Sequence, residues 1–289
     1  MKVASRTTTK RSKRTLRSHF GNAGTAIAVA AIAIWSFFPI YWMLLSSLRT
    51  QSALFSAPTL WPRNLTLASY RTLLILTDYP TQFRNSLIVA TSVLIITLAV
   101  SIVVAYVLTR FRVPGKSFIV SGILYAYMFP PMLLAIPLYS FFVAIGIADS
   151  LLGLVIAHCT LTLPLAIWLL WGFFKSMPFE LEEAARVDGC TRLGSFLRVV
   201  LPLSMPGIIT AGVFTFLLSW TDYVYALVII TSDKHETLPL GIATMFGSFD
   251  LRWGEAMAGA TLIVIPLFVM FAFLSRFFIQ GMSAGAVKG

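Results

Sequence analysis

Residues 85–109 contain no charged side chain, and similar apolar runs recur at about 24–47, 117–143, 151–174, 206–231 and 255–280. A helix needs about 20 mostly apolar residues to cross a hydrocarbon core of about 30 Å, so each run is long enough to span. Transmembrane barrels are written as short alternating strands, and unbroken runs leave helices as the way to satisfy backbone groups in lipid. The chain is 58% hydrophobic and 11% charged, against roughly 45–50% and 25% for soluble domains. These values predict an all-α polytopic membrane protein with six transmembrane helices. The expected organisation is a basic tail over 1–22, a membrane domain over 23–280 with a polar loop at 175–202, and a C-terminal tail over 281–289.

The formal charge of +11 does not require nucleic acid, because Lys and Arg also set membrane orientation. The N-terminal segment carries Lys2, Arg6, Lys10, Arg11, Lys13, Arg14 and Arg17. The second-to-third connection adds Arg110, Arg112 and Lys116, the fourth-to-fifth Lys175, Arg186, Arg192 and Arg198, and the C-terminal end Arg276 and Lys288. Only Arg49, Arg63, Arg71, Arg84, Lys234 and Arg252 fall on the other side. The asymmetry predicts cytoplasmic termini, and the basic tail reads as an orientation signal with affinity for anionic lipid; no nucleic-acid partner is expected.

The apolar stretch from Thr25 runs past Trp35 to Leu48, too long for the core of a cleaved leader, so it reads as a retained first helix. Cys159 lies in the fourth span and Cys190 in the polar loop, so no disulfide is expected. In the connection 48–84, residues 67–74 suit a short interfacial helix, fitted either to anchoring or to touching an external partner. Asn64-Leu65-Thr66 has the form of a glycosylation sequon, a triplet common by chance.

Pro130, Pro131 and Pro137 interrupt the third span, removing backbone donors and bending the helix. Both a pathway helix and a bent packing helix fit. In the fifth span, Trp220-Thr221-Asp222-Tyr223 sets a carboxylate in an apolar run. Asp at a helix centre costs about 2.5–3.5 kcal/mol on the insertion scale, which marks a pathway or gate unless the residue sits at the outer interface among Trp220, Tyr223 and Tyr225. His158, alone among apolar neighbours, reads as a hydrogen-bonded packing residue. Gly115-Lys116-Ser117 imitates the end of a phosphate loop, but Arg110 stands where its first glycine belongs. No nucleophilic triad, metal motif or carboxylate pair is present, so neither catalysis nor a metal or other cofactor is expected in this chain.

The loop 175–202 is too polar to cross lipid and rich in helix formers. Pro178 suits a first helical turn, and Glu180, Glu182 and Glu183 suit the positive end of its dipole. Gly189 supplies a left-handed stop, and Thr191 caps a second helix that runs through Val199 until Pro202. The expected product is a helix-turn-helix elbow. Leu181, Ala184, Ala185 and Asp188, at i, i+3, i+4 and i+7, would form one narrow face open to a partner.

The spacing Glu183-Ala184-Ala185, three residues, Gly189, nine residues, Val199, one residue, Leu201-Pro202 resembles the EAA loop of ABC-importer permeases, with valine at 199 where that family usually has isoleucine. Phe83-Arg84-Asn85-Ser86-Leu87, Met128-Phe129-Pro130, Ile136-Pro137-Leu138-Tyr139, Leu163-Pro164, Met177-Pro178 and the tail Gly285-Ala286-Val287-Lys288-Gly289 are similar to the MalG-type subunits of carbohydrate importers. Thr221 stands where those subunits usually carry Asn.

The resemblance implies half of a heterodimeric channel with a homologous second permease, two cytoplasmic ATPase subunits that bind ATP and Mg, and an extracytoplasmic solute-binding protein. It also implies a bacterial or archaeal cytoplasmic membrane. ATPase coupling falls on Glu183, Ala184, Ala185, Asp188, Gly189 and Pro202, a second ATPase contact on Gly285, Lys288 and Gly289, and the pathway or gate on Trp220, Asp222, Tyr223, Pro130 and Pro137. The expected cargo is a disaccharide or oligosaccharide. The alternatives are a permease for peptides or other solutes, or an ion-coupled carrier, which would need ionisable groups near the midplane and commonly an internal repeat.

Overall fold

The computed structural model describes residues 13–56, 59–61, 65–247 and 252–286, with backbone alone for 13–24, Ser56, Gly247 and 274–286. Most of the basic tail, the Asn64 sequon, Lys288 and Gly289 lie outside the described residues. Among the described residues there is no strand. In chain order the elements are α1 Lys13–Ser47, α2 Gln51–Ser56, α3 Ala68–Leu76, α4 Tyr79–Arg110, α5 Lys116–Met128, α6 Pro131–Ala144 and α7 Leu151–Ser176. They continue as α8 Glu180–Val187, α9 Arg192–Ser195, a π-helical stretch Phe196–Val200, α10 Leu201–Leu203, α11 Met205–Trp220 and α12 Val224–Ile229. A 3₁₀ turn Asp233–His235, α13 Leu238–Gly247 and α14 Trp253–Ala286 complete the chain.

Four described segments are individually long and apolar enough to cross a membrane: Thr25–Ser47, Tyr79–Arg110, Leu151–Ser176 and Trp253–Phe273. The expected third span is instead two helices, α5 and α6, meeting at 94°. Phe129 and Pro130 adopt extended backbone and Pro131 starts α6, so the tandem prolines end one helix and open the next. The expected fifth span is also broken. Its helix α11 has 16 residues, roughly 24 Å at 1.5 Å per residue, and stops at Trp220. Arg192–Leu203 meets it at 70° on the other side of Ser204. A total of six crossings therefore requires each bent pair to act as one span.

The core forms where α4 and α7 run against each other, with α11 packed on both and α14 against α1, α3 and α11. Thr97 and Thr162, both fully buried, share a 2.8 Å hydrogen bond at the α4–α7 contact. Close approach of α11 depends on small residues: a Cβ on Gly207 would stand 2.6 Å from the Phe173 ring, and one on Gly212 would stand 3.3 Å from Leu94 and Leu98. One apolar cluster, including Phe174, Leu170, Tyr106, Val200 and Ile208, ties α4, α7 and α11 at the elbow end. A second, including Leu73, Tyr79, Trp220, Leu238 and Ala258, ties the opposite end.

Candidate functional site

The elbow begins two residues later than its sequence suggests, at Glu180 instead of Pro178. Its acidic first turn and the basic Arg186 in its last turn complement the helix dipole. Gly189 sits at φ +90° and turns the chain, with open space where a side chain would begin. The Thr191 hydroxyl then accepts from the Gly194 N–H at 3.1 Å and caps α9. The second arm passes through Pro202 to Leu203 and loosens into π-helix over 196–200, a local under-winding often found at functional sites.

The exposed rim of the elbow is only partly the one expected. Leu181, Glu183, Ala184, Asp188, Gly189 and Pro202 are exposed, but Ala185 is buried and faces inward with Glu182. The predicted narrow face loses Ala185 because the phase of α8 is set by its packing on α9 and the π-helical stretch, with Glu182 turned to α4, which small-residue spacing does not reveal. In its place the elbow presents large apolar side chains: Val187 is 88% exposed, Leu193 66% and Leu197 50%.

The buried side of the elbow carries an ionic anchor that sequence reading passed over. Tyr106 donates its hydroxyl to Glu182 Oε1 at 2.6 Å. Arg110 Nε lies 3.1 Å from Glu182 Oε2, an ionic contact whose N–H is not aligned for a hydrogen bond. Arg110 also stacks over the Phe179 ring and donates to the Met177 carbonyl at 3.3 Å, while Arg192 stacks over Phe111. The elbow is thereby pinned to the end of α4, a helix more than 60 residues earlier in the chain.

A second polar cluster lies at the break after α11. Asp222 Oδ2 accepts from the Tyr225 and Ala226 N–H groups at 3.1 and 3.2 Å, capping α12, and lies 3.1 Å from His158 Nε2. His158 Nδ1 is 2.8 Å from the Ser219 hydroxyl. His158 is thus hydrogen-bonded, as expected, but it is not alone: its side chain and that of Asp222 are 2% and 8% exposed. Tyr223 is exposed, whereas Trp220 is fully buried, stacked on Phe216 and donating to the Ile263 carbonyl at 3.0 Å. Pro130, at the α5–α6 bend, and Pro137, inside α6, are exposed. Gly285 lies in the last turn of α14.

At the opposite end, the Phe83–Leu87 motif grips a loop. Asn85 donates to the carbonyls of Lys234 and Glu236, each at 2.9 Å, and Ser86 accepts from the Leu238 N–H at 2.8 Å. Gln82 donates to Glu236 at 2.9 Å. Burial raises the Glu236 carboxyl above its usual range against the lowering effect of Gln82, with Asp233 and Asp78 adding repulsion. Asp149, itself at φ 51°, accepts from the N–H groups of Thr231 and Ser232 at 2.9 and 3.0 Å and from the Ser232 hydroxyl. Burial pushes its carboxyl up, but these donors and nearby His235 outweigh that and hold it below the usual range. Among the described residues no cluster has the composition to hold a metal ion.

Residues 98–284 match the family described as binding-protein-dependent transport system inner membrane component. The inner membrane ABC transporter permease protein YcjP of Escherichia coli is 35% identical over 96% of this chain and 99% of its own length. The diacetylchitobiose uptake system permease protein DasC of Streptomyces coelicolor is 32% identical over 94% and 99%. A solved bacterial ABC transporter involved in alginate import contains a chain of the same fold, with a TM-score of 0.77 at 20% identity, covering 93% of this chain and all of that one. The family match over residues 98–284, together with relatives at 35% and 32% identity over nearly their whole length, makes the chain a member of the binding-protein-dependent transport system inner membrane components.

Proposed function

We propose that this chain is a non-catalytic permease subunit of an ATP-driven importer for a disaccharide or oligosaccharide, and that its elbow receives the work of a separate ATPase. The observation that carries this reading is the elbow's surface. Val187 and Leu193 flank the Gly189 turn and stand exposed, although covering one such side chain is worth about 1.5–3 kcal/mol. Exposed apolar groups beside Glu183, Ala184 and Asp188, on an arm fastened from beneath, suit a knob that seats in a protein cleft.

A homologous second permease completes the channel, a cytoplasmic ATPase dimer binds ATP and Mg, and an extracytoplasmic binding protein delivers the solute. Both termini lie in the cytoplasm, and Gly285, Lys288 and Gly289 provide a further ATPase contact. Closure of the ATPases favours one packing of the spans over the other; moving such an equilibrium from 1:99 to 99:1 takes about 5.5 kcal/mol of differential binding. Trp220, Asp222, Tyr223, Pro130 and Pro137 belong to the pathway or its gate. The carbohydrate class is supported by the relative named for diacetylchitobiose uptake and by the tail Gly285–Gly289.

The test is ATPase activity in proteoliposomes holding the chain with its co-expressed permease, ATPase and binding protein. Stimulation by sugar-loaded binding protein supports the proposal. Uptake driven by an ion gradient without ATP would replace it with the ion-coupled reading.

A further inference from the structure

The elbow is fastened to α4, and the far end of α4 is fastened to the 232–238 loop. From Tyr106 to Asn85 the helix covers roughly 30 Å at 1.5 Å per residue, about the thickness of a hydrocarbon core. Of the four individually spanning helices, α1, α7 and α14 contain an internal proline, at Pro39, Pro164 and Pro266. In α4 the proline sits in the first turn, where no helical donor is lost. Of these four it is therefore the one whose run of helical donors between the two ends is not interrupted by proline.

At one end, Glu182 joins α4 through both carboxylate oxygens, to Tyr106 and Arg110. At the other, Asn85 spends both amide hydrogens on loop carbonyls and Ser86 holds the start of α13. We propose that α4 is the shaft that carries elbow movement to the 232–238 loop, with Glu182 as the positioning residue that couples elbow to shaft and Asn85 as the one that couples shaft to loop. This inference rests on the elbow being the ATPase contact.

The elbow's connections along the chain, to α7 through the extended Met177 and to α11 through Ser204, are a non-helical link and a 70° bend. Neither transmits a push as well as a buried two-oxygen clamp. Removing Glu182 should therefore leave the exposed rim able to dock while its displacement no longer turns α4.

The experiment uses the whole complex in proteoliposomes, with Cys159→Ala and Cys190→Ser as background. Val187→Cys reports docking by cross-linking to the ATPase, and in separate samples a fluorophore on Lys234→Cys reports loop movement when ATP is added. With Glu182 native, both signals are expected. In Glu182→Ala the cross-link should persist while the ATP-induced fluorescence change and solute uptake fall about tenfold, within the range of ordinary coupling free energies. Asn85→Ala should give the same pattern, and the double variant should lose no more than the worse single one.

Full uptake and full loop response in assembled Glu182→Ala would overturn the inference, as would loss of the Val187 cross-link, which would make Glu182 a support for docking alone. If Glu182→Ala does not assemble, Tyr106→Phe, which deletes one hydroxyl, decides by the same two readouts. Absence of the cross-link in the native background would instead overturn the docking reading on which this one stands.

Discussion

Replacing His158 with Leu isolates the energetic weight of the polar cluster at the α11 break. Leucine is close to histidine in volume, so packing is largely kept and little cavity is opened. What is lost is the 3.1 Å contact to Asp222 Oδ2 and the partner of Ser219. A hydrogen bond to a charged acceptor is worth about 1.5–3 kcal/mol. The Tyr225 and Ala226 N–H groups still face Asp222 and share its charge, so about 2–3 kcal/mol is expected.

Asp222→Asn differs in kind. Its carbonyl oxygen can still cap α12, and no charge is stranded, so about 1 kcal/mol is expected. The sign of the double variant then decides the matter: Asp222→Asn should rescue part of the His158→Leu loss, because a neutral amide tolerates a missing partner better than a carboxylate does. The assay is thermal loss of the monodisperse purified complex at one fixed heating rate, since unfolding of such assemblies is irreversible. His158→Leu should fall by about 5–10 °C on the scale of 2–4 °C per kcal/mol for chains of this size. A His158→Leu complex as stable as the native one, or a double variant less stable than His158→Leu, would refute the reasoning.

Other consequences are simpler to check. Gly189→Ala, forced to φ +90°, should cost about 1 kcal/mol or more in elbow stability, with Gly189→Asn milder; proteolytic nicking of the 188–191 turn reads the difference. Val187→Asp should weaken ATPase binding by about 1.5–3 kcal/mol, measured by co-purification at graded detergent-solubilised ATPase concentrations, with unchanged membrane insertion. Gly241→Ala would place a Cβ 2.2 Å from the Gln82 amide, so the Gln82 to Glu236 bond should be lost at a cost of about 1–3 kcal/mol, read as faster hydrogen exchange in 233–241. The Asp149 carboxyl is held below its usual range, so its contribution is present above the ordinary value near 3.8 and disappears as pH falls through the lower folded value. Protection of the Thr231 and Ser232 amides should follow that fall in native protein and be flat across it in Asp149→Asn.

What the sequence discloses is what neighbours along the chain decide. Gly189, Thr191 and the three glutamates of the first turn specify the elbow, because caps and left-handed turns are local chemistry. The helix at 68–76 and the long apolar spans follow from composition in the same way. The depth of the α5–α6 bend was hidden because tandem prolines require an interruption without fixing its angle. The break after Trp220 had a local signal in Asp222, an N-cap type of residue three and four positions before the donors it accepts from, but the apolar run on both sides masked it. The partners of Glu182 and His158 were not legible for one shared reason: they stand 76 and 64 residues away. Helical periodicity groups residues on one helix and cannot say which face another helix will cover, so by itself it places Ala185 outward and makes Glu182 one more dipole charge.

The most direct measurement of the central claim is solute uptake by proteoliposomes containing the full complex, compared with vesicles containing this chain alone and with complexes carrying Glu183→Lys or Gly189→Pro. The account predicts ATP-dependent uptake by the full complex, none by the isolated chain, and its loss in both elbow variants although assembly with the second permease is normal. Transport by the isolated chain, or undiminished ATP-driven uptake in both variants, would contradict it.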